Sequence, residues 1–224
     1  MNLKMMNIFS IFDPTTSMNL SLNWLSMTLI FMLMPYQFWI MPSRLILLSH
    51  MMINYIFKEF KILINYSFAN LIIFISLMLM IFFNNFLGLF PYIFTASSHM
   101  TFCFSLSLSL WLSMMIFSII NYFNDFLSHL TPQGTPFVLM PFMVIIESIS
   151  LIIRPLTLAI RLTANMIAGH LLMTLLGSSG SSISKLMMIL LIISQILLLL
   201  LEISVAMIQA YVFSILSTLY SSEI

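Results

Sequence analysis

The sequence has very little charge. Only 6% of its 224 residues are charged, whereas 62% are hydrophobic, and the formal net charge is +1. Domains folded in water carry about a quarter charged residues, so this chain has too little polar surface to cover a water-soluble globule. A water-soluble enzyme, a nucleic-acid-binding protein and a disordered chain are therefore excluded. The composition predicts an integral membrane protein.

Cysteine, glycine and proline are also scarce. The one cysteine, Cys103, cannot form a disulfide within the chain. No phosphate-binding loop of the form G-x-x-x-x-G-K-S/T is present, so we expect no nucleotide site. We expect no cofactor and no metal either. Five glycines and eight prolines leave long stretches in which nothing interrupts a helix.

The apolar residues form runs long enough to cross a bilayer as helices, since a core of about 30 Å needs about 20 residues. We predict an all-α integral membrane fold with about five membrane-crossing helices and one interfacial amphipathic helix, in a single domain over residues 1–224. The predicted segments are a first span at 20–41 that Pro35 kinks, an interfacial helix at 43–66, two spans within 68–122, a loop at 121–136 and a long helical hairpin at 137–221.

One stretch has the pattern of a helix that lies in the membrane interface. At 100° per residue, six polar residues after Pro42 fall within an arc of about 80°. They are Ser43, His50, Asn54, Lys58, Lys61 and Asn65. This periodicity is typical of an amphipathic helix with its lysines in water. A short helix on a water-exposed surface is the alternative interpretation.

The segment from Ser105 to Leu110 alternates serine and leucine, which imitates a strand. An isolated strand in lipid would leave its backbone polar groups unpaired. We therefore expect a helix whose serine hydroxyls bond back to carbonyls of the same helix.

The last ninety residues predict two unusually long helices. From Ile183 to Tyr220 there is neither glycine nor proline, and a helix of about 38 residues is roughly 57 Å long. Such a helix stays within the hydrocarbon core only if it tilts strongly, by roughly 60°, whereas about 40° is the usual upper limit. With the segment from Phe137 to the polar loop Gly177–Ser184, it forms a tilted hairpin suited to a curved partner.

Polar residues inside this hairpin are the candidate functional site, because each ionisable group at membrane depth costs about 2.5–3.5 kcal/mol. They are Glu147, Arg154, Arg161, Asn165 and His170 on the first helix and Gln195, Glu202 and Gln209 on the second. On each helix a seven-residue spacing places three of them in one stripe, which drifts by about 20° per step. His170 lies on roughly the opposite side of its helix from Arg161, which suits two separate water-accessible compartments.

Two interpretations of these charges remain open at this point. The glutamates and arginines could form buried ion pairs that hold the helices together. Arg161 fits that role least, because a guanidinium stays charged and can force a nearby carboxylate to release its proton. His170 is either a satisfied core residue or part of a proton relay.

Three stretches resemble subunit a of the F-type ATP synthases in its mitochondrial, arthropod-like form. They are SLIIRPLTLAIRLTANMIAGH from Ser150 to His170, LEISVAMIQAY from Leu201 to Tyr211, and NNFLGLFP from Asn84 to Pro91. The opening from Asn7 to Pro14 fits as well, so the resemblance covers essentially the whole chain.

The resemblance implies roles for individual residues. Arg161 matches the family's essential arginine, which faces a carboxylate on the rotor ring of c subunits, and Gln209 matches the glutamine beside it. Glu202 and His170 match a pair at which bacterial relatives have His and Glu exchanged. This exchange is easiest to understand if both lie on one proton path.

The resemblance defines the roles of the other polar residues less completely. Glu147 and Asn165 match positions that line the half-channels. Arg154 matches a basic position that is often Lys or Gln in relatives, so its role is the least defined. Bacterial members have an acid where this chain has Gly88, which puts an inlet role there in doubt.

The resemblance therefore implies a proton-translocating stator subunit that is not itself catalytic. Two offset half-channels, separated by Arg161, would pass protons to and from the c-ring carboxylate. The expected partners are the c ring, other membrane-sector subunits, protons and the lipid bilayer. The expected location is the mitochondrial inner membrane. Arg44, Lys58 and Lys61 place the interfacial helix on the matrix side, which puts the N-terminus in the intermembrane space and the C-terminus in the matrix; Lys185 argues mildly against this.

Three other classes of protein compete with this interpretation. The sequence Gly177-Ser178-Ser179-Gly180 suggests an intramembrane serine protease, but no histidine base follows His170 in the chain. A haem-carrying subunit would need facing axial histidines, and the four histidines are widely scattered. A purely structural membrane scaffold is the third alternative, although it gives no reason for an arginine in so apolar a setting.

Overall fold

The computed structural model describes residues 8–17, 20–64, 68–131, 134, 136–180 and 184–223. The described part is built from helices and their connections, which confirms the all-α membrane prediction. Its α-helices are α1 (Leu29–Leu33), α2 (Arg44–Leu63), α3 (Phe68–Gly88), α4 (Met100–Asn121), α5 (Phe123–His129), α6 (Met140–Ser179) and α7 (Lys185–Glu223). Short 3₁₀ helices occur at Ile8–Phe12, Leu22–Thr28, Ala96–Ser98 and Phe137–Leu139.

Four helices of the described part are long and apolar enough to cross a membrane, rather than about five. They are Asn70–Gly88, Met100–Asn121, Phe137–Ser179 and Met187–Ser222. The predicted first span at 20–41 is the exception, because its helical portion ends at Leu33. Met34 is extended, with ψ of 123°, as expected for a residue before proline. Pro35 thus ends the helix instead of kinking it.

Helix α2 lies within the predicted interfacial segment 43–66. The Ser43 side chain accepts a hydrogen bond from the Ile46 backbone N–H and caps the helix at its start. Near the end of α2, Phe60 and Ile64 are buried against Leu71 and Phe74 of α3. One part of the apolar face of α2 therefore packs on the protein, while Leu45 and Met52 remain exposed.

Helix α4 contains the alternating serines and leucines. The hydroxyls of Ser105, Ser107 and Ser109 donate to the carbonyl oxygens three residues earlier, over 2.8, 3.3 and 3.0 Å. The segment is a helix whose serines satisfy their own hydrogen bonds, as predicted.

Helices α6 and α7 contain 40 and 39 residues, or about 60 Å each at 1.5 Å per residue. Pro141 lies in the first turn of α6, where its missing N–H costs nothing, and the helix continues through Pro155. That the pair tilts strongly in the membrane and that the chain is a single domain stay predictions.

Two predicted loops contain more helix than expected. Within 121–136, the residues Phe123–His129 form α5. In the predicted loop Gly177–Ser184, α6 continues to Ser179, because a glycine within a helix costs only about 1 kcal/mol.

The core lies where α3, α4, α6 and α7 meet. Its buried residues are Leu77, Ile81, Cys103, Leu158, Ala159, Leu162, Ala210 and Phe213. Alanines at the contact of α6 with its neighbours allow close approach of the helices, as is common in membrane bundles. Many large apolar side chains on the outside are exposed, among them Ile160, Leu172 and Ile208, which suits a surface solvated by lipid.

Candidate functional site

Arg161 lies halfway along α6 on an exposed face. Its side chain is exposed, and one residue before it Ile160 is 42% exposed. In the described part of the chain, no carboxylate lies within ion-pair distance of Arg161; the ion pair found there is Arg154–Glu147. The structure thus presents a permanent cation on a mainly apolar surface.

Gln209 connects α7 to α6 at the level of this arginine. Its side-chain Nε2 donates to the backbone carbonyl of Arg161 over 2.7 Å and lies 3.4 Å from that of Leu162. The Gln209 side chain is only 5% exposed. Gln209 therefore lies beside Arg161 through the arginine backbone, and a role of the pair towards the c ring stays a prediction.

Glu202 is buried against α6, where the glycine at position 169 leaves room for it. An ideal Cβ on Gly169 would lie 2.6 Å from Glu202 Oε1 and 3.1 Å from its Cδ. The Glu202 side chain is 9% exposed, and its Oε1 has no hydrogen-bond partner in the described part. His170, the next residue after this glycine, also has a buried Nε2 with no described partner.

Further polar atoms without described partners occur at the same end of the bundle, where α3 ends and α4 begins. They are Asn84 Nδ2, Asn85 Nδ2 and Oδ1, Ser97 Oγ and His99 Nε2. Gly88 connects this group to α6, because a Cβ there would lie 2.8 Å from Thr95 Cγ2 and 3.6 Å from Met166 Cε. A buried polar group without a partner costs about 1–3 kcal/mol, so we expect ordered water molecules to pair with these atoms.

A second polar region lies at the opposite end, where α4 ends and α6 begins. Arg154 Nη2 lies 3.8 Å from Glu147 Oε1, and the Arg154 guanidinium lies 4.9 Å from the centre of the Tyr220 ring. These residues line an open cavity of about 1020 Å³, with Asp125 and His129 of α5 on its wall. The pair joins two residues of one helix, so it does not hold α6 to a neighbour.

The structure therefore separates the predicted residues into groups. Glu202 and His170 lie at one end of α6, Glu147 and Arg154 at the other, and Arg161 with Gln209 between them. Asn165 is exposed one turn beyond Arg161, and Gln195 is half-buried nearer the hairpin loop.

Sequence reasoning missed several polar residues of these regions. Asn85, Ser97 and His99 carry no charge pattern, and Tyr220 has no signal in the sequence. Their one common feature is a polar side chain within an apolar segment. A further contact was also missed, in which Tyr211 Oη donates to Glu59 Oε2 over 3.1 Å and joins α7 to α2.

The competing protease interpretation gains nothing from this geometry. The hydroxyls of Ser178 and Ser179 donate to carbonyls of their own helix over 2.9 and 2.8 Å. Among the described residues, no group of three or more histidine, cysteine, aspartate or glutamate side chains could hold a metal ion.

Fold and site together define an all-α, multi-pass membrane protein with polar groups buried between its helices on either side of an exposed arginine. The family model described as ATP synthase A chain matches residues 5–222. The chain belongs to this family, and the resemblance found in its sequence motifs is confirmed.

Curated relatives match over almost the full length. ATP synthase subunit a of Locusta migratoria is 58% identical over 223 residues, which cover 98% of this chain and 99% of the relative. The proteins of the same name from Drosophila melanogaster and Anopheles gambiae are each 56% identical, over 222 and 224 residues, with the same coverage.

Proposed function

We propose that the chain is the proton-translocating subunit of an F-type ATP synthase in the mitochondrial inner membrane. A proton enters through a half-channel at Glu202 and His170 and binds a carboxylate on the c ring. After the ring has turned, a proton leaves through a second half-channel at Glu147. The chain itself performs no ATP chemistry, which belongs to partner subunits.

The observation that carries this proposal is the exposed arginine on an apolar face. A charge at membrane depth costs about 2.5–3.5 kcal/mol, and the described part of the chain offers Arg161 no carboxylate. A carboxylate on a partner subunit removes this cost, because an ion pair in low dielectric is strong. The c ring of the family is that partner.

The arrangement of polar groups along α6 supports two separate paths. Glu147 precedes Arg161 by 14 residues and His170 follows it by nine, or about 21 and 14 Å along the helix. Core residues such as Leu158 and Leu162 fill the bundle between the two polar regions. A proton that enters at one end therefore cannot continue through the protein and must cross on the ring.

The remaining site residues have supporting roles in this mechanism. Gln209 fixes α7 against the Arg161 backbone and so holds the arginine at a constant depth. Asn165 extends the exposed polar stripe next to the ring. Arg154 holds Glu147 in the open cavity of the second polar region. Each charge that crosses releases about 2.3 kcal/mol per 100 mV of membrane potential, and the ring converts this energy into rotation.

The proposed orientation has the N-terminus in the intermembrane space and the C-terminus in the matrix. It is supported by the basic residues of α2, Arg44, Lys58 and Lys61, which the positive-inside rule assigns to the matrix side. Phe12 and Trp24 of the N-terminal segment contact His170 and His99, whereas the end of α2 packs on the start of α3. These two regions lie at opposite ends of α3.

The test is replacement of Arg161 with Ala in the assembled complex. We expect loss of ATP-driven proton pumping and of proton-driven ATP synthesis with normal assembly. Replacement of Arg44, an exposed arginine at the start of α2, is the matched control and should leave both rates unchanged. A normal rate of proton-driven ATP synthesis in the Arg161 variant would contradict the proposal.

A second variant separates a channel role from a structural role. Glu202→Gln keeps the shape and hydrogen-bonding capacity of the side chain but cannot release a proton. We expect slow proton flux in a fully assembled complex. Loss of the complex instead would support the alternative in which these residues only hold the helices together.

A further inference from the structure

The residue of interest is His99, to which the half-channels described above give no role. It directly precedes α4, and its ring lies between Phe94 and Trp24, with centroid distances of 5.1 and 5.2 Å. Its Nε2 is buried and has no hydrogen-bond partner in the described part. Buried polar atoms of native proteins are nearly always paired with protein or ordered water, so we expect an ordered water molecule to bind this nitrogen.

His99 lies beside a contact between α4 and α6. At this contact Thr163 Oγ1 of α6 lies 4.0 Å from the sulfur of Met100, the residue after His99. Thr163 and His170 are seven residues apart and lie on the same side of α6, about 10 Å apart along its axis. His99 therefore flanks this contact, and His170 lies two turns further along the same side of α6.

The N-terminal segment places an aromatic ring against each of the two histidines. Phe12 contacts the His170 ring edge-on at 6.4 Å, and Trp24 contacts His99. Two side-chain hydrogen bonds hold this cover in place: Asn23 Nδ2 to the Asp13 carbonyl at 3.2 Å, and Ser26 Oγ to the Phe94 carbonyl at 3.0 Å. Aromatic rings shield the two histidines from lipid without bonding the imidazole nitrogens.

Other buried polar atoms lie at the end of α3 and directly before α4. Asn85 is completely buried and Ser97 is 1% exposed, and both have side-chain atoms without described partners. The titratable groups of the elements around this contact are His170 of α6, Glu202 of α7, Cys103 one turn along α4, and Asp13 of the N-terminal segment, whose exposed carboxylate accepts from Thr15. The Cys103 thiol already donates to the Ser97 carbonyl over 3.2 Å, so the two histidines and the glutamate are left to carry protons.

We propose that His99 is a second proton-carrying histidine of the half-channel that contains His170 and Glu202. A proton binds the unprotonated ring nitrogen of His99, and the resulting imidazolium releases a proton to water on the side of His170. No other bond forms or breaks, and the ring returns to its neutral form. This inference rests on the proposed function, since it requires that protons enter at this end of the bundle.

The test compares histidine variants in vesicles that contain the assembled complex. ATP synthesis is driven by a fixed membrane potential, which a weak base does not collapse. We expect His99→Gln to lower the rate on the order of tenfold or more, since a positioned acid–base group typically contributes at least that much. His50→Gln is the matched control, because His50 is exposed on α2, and its rate should equal that of the unchanged protein.

Chemical rescue separates proton transfer from a structural role. In His99→Ala, imidazole added on the intermembrane-space side should restore a large part of the lost rate, and the same imidazole should not accelerate Glu202→Gln. A normal rate in assembled His99→Gln, absence of rescue in His99→Ala, or failure of both variants to assemble would each overturn the proposal. If Glu202→Gln also runs at the normal rate, the proposed function itself fails; if only His99→Gln does, the role of His99 alone is wrong.

Discussion

Replacement of Gly169 with Ala tests the contact between α6 and Glu202. The added Cβ would lie 2.6 Å from Glu202 Oε1, whereas ordinary contact begins at 3.4 Å. The carboxylate must therefore move by at least the difference, 0.8 Å. The Cγ and Cδ atoms of Glu202 also lie only 3.1 Å from the new methyl group, so the whole side chain must move away from α6 at position 169.

The expected consequence is a functional defect without a folding defect. Alanine in a helix interior stabilises the folded state by about 0.5–1 kcal/mol relative to glycine, and the displaced group is the end of a flexible side chain. The complex should therefore assemble normally. A displacement of about 1 Å at a reacting group can reduce a rate by on the order of a hundredfold, so we expect proton flux to fall by about ten- to a hundredfold.

The assay is ATP-driven acidification of inverted membrane vesicles, normalised to the amount of assembled complex. Gly177→Ala is the matched control, because it lies on the same helix and its nearest neighbour, Gln195 Nε2, would be 3.9 Å from the new Cβ. Gly177→Ala should pump at the normal rate. Equal rates in the two variants would show that the position of Glu202 does not matter, and the reasoning would be refuted.

Two contacts away from Arg161 give further predictions. Tyr220→Leu removes the ring from beside Arg154 and should weaken the positioning of Arg154 next to Glu147 by about 0.5–2 kcal/mol. We expect slower pumping and faster hydrogen exchange at the end of α7. Tyr220→Phe keeps the ring and should behave like the unchanged protein. Tyr211→Phe removes the hydrogen bond to Glu59, worth about 0.5–1.5 kcal/mol, and should accelerate hydrogen exchange in α2. Glu59→Gln retains an acceptor, so it should change exchange in α2 less than Tyr211→Phe does, and the reverse order would contradict this role.

The long helices could be predicted because apolar length is a strong signal in lipid. The segments that became α3, α4, α6 and α7 are long and mainly apolar, and the strand-like pattern in α4 and Pro155 in α6 did not outweigh that signal. The first span was predicted too long because the conformational restriction before Pro35 outweighed its apolar composition. Helix α5 was missed because its seven residues make only about two turns, too few for a clear periodicity.

The candidate site could be predicted only along each helix. Charged residues are conspicuous in an apolar sequence, and the seven-residue spacing assigned Glu147, Arg154 and Arg161 to one stripe. Contacts between distant segments carry no such signal. The space that Gly169 leaves for Glu202, the position of His99 beside α6, and the hydrogen bond between Tyr211 and Glu59, 152 residues apart, all depend on how the helices pack.

The most direct test of the central claim is the passive proton conductance of vesicles that contain the Arg161→Gln complex, measured under a membrane potential without nucleotide. If Arg161 separates the two half-channels, the variant should let protons pass without any ATP synthesis, while the passive proton conductance of the unchanged complex stays low. A variant that keeps a low passive proton conductance and still synthesises ATP at the normal rate would contradict the claim.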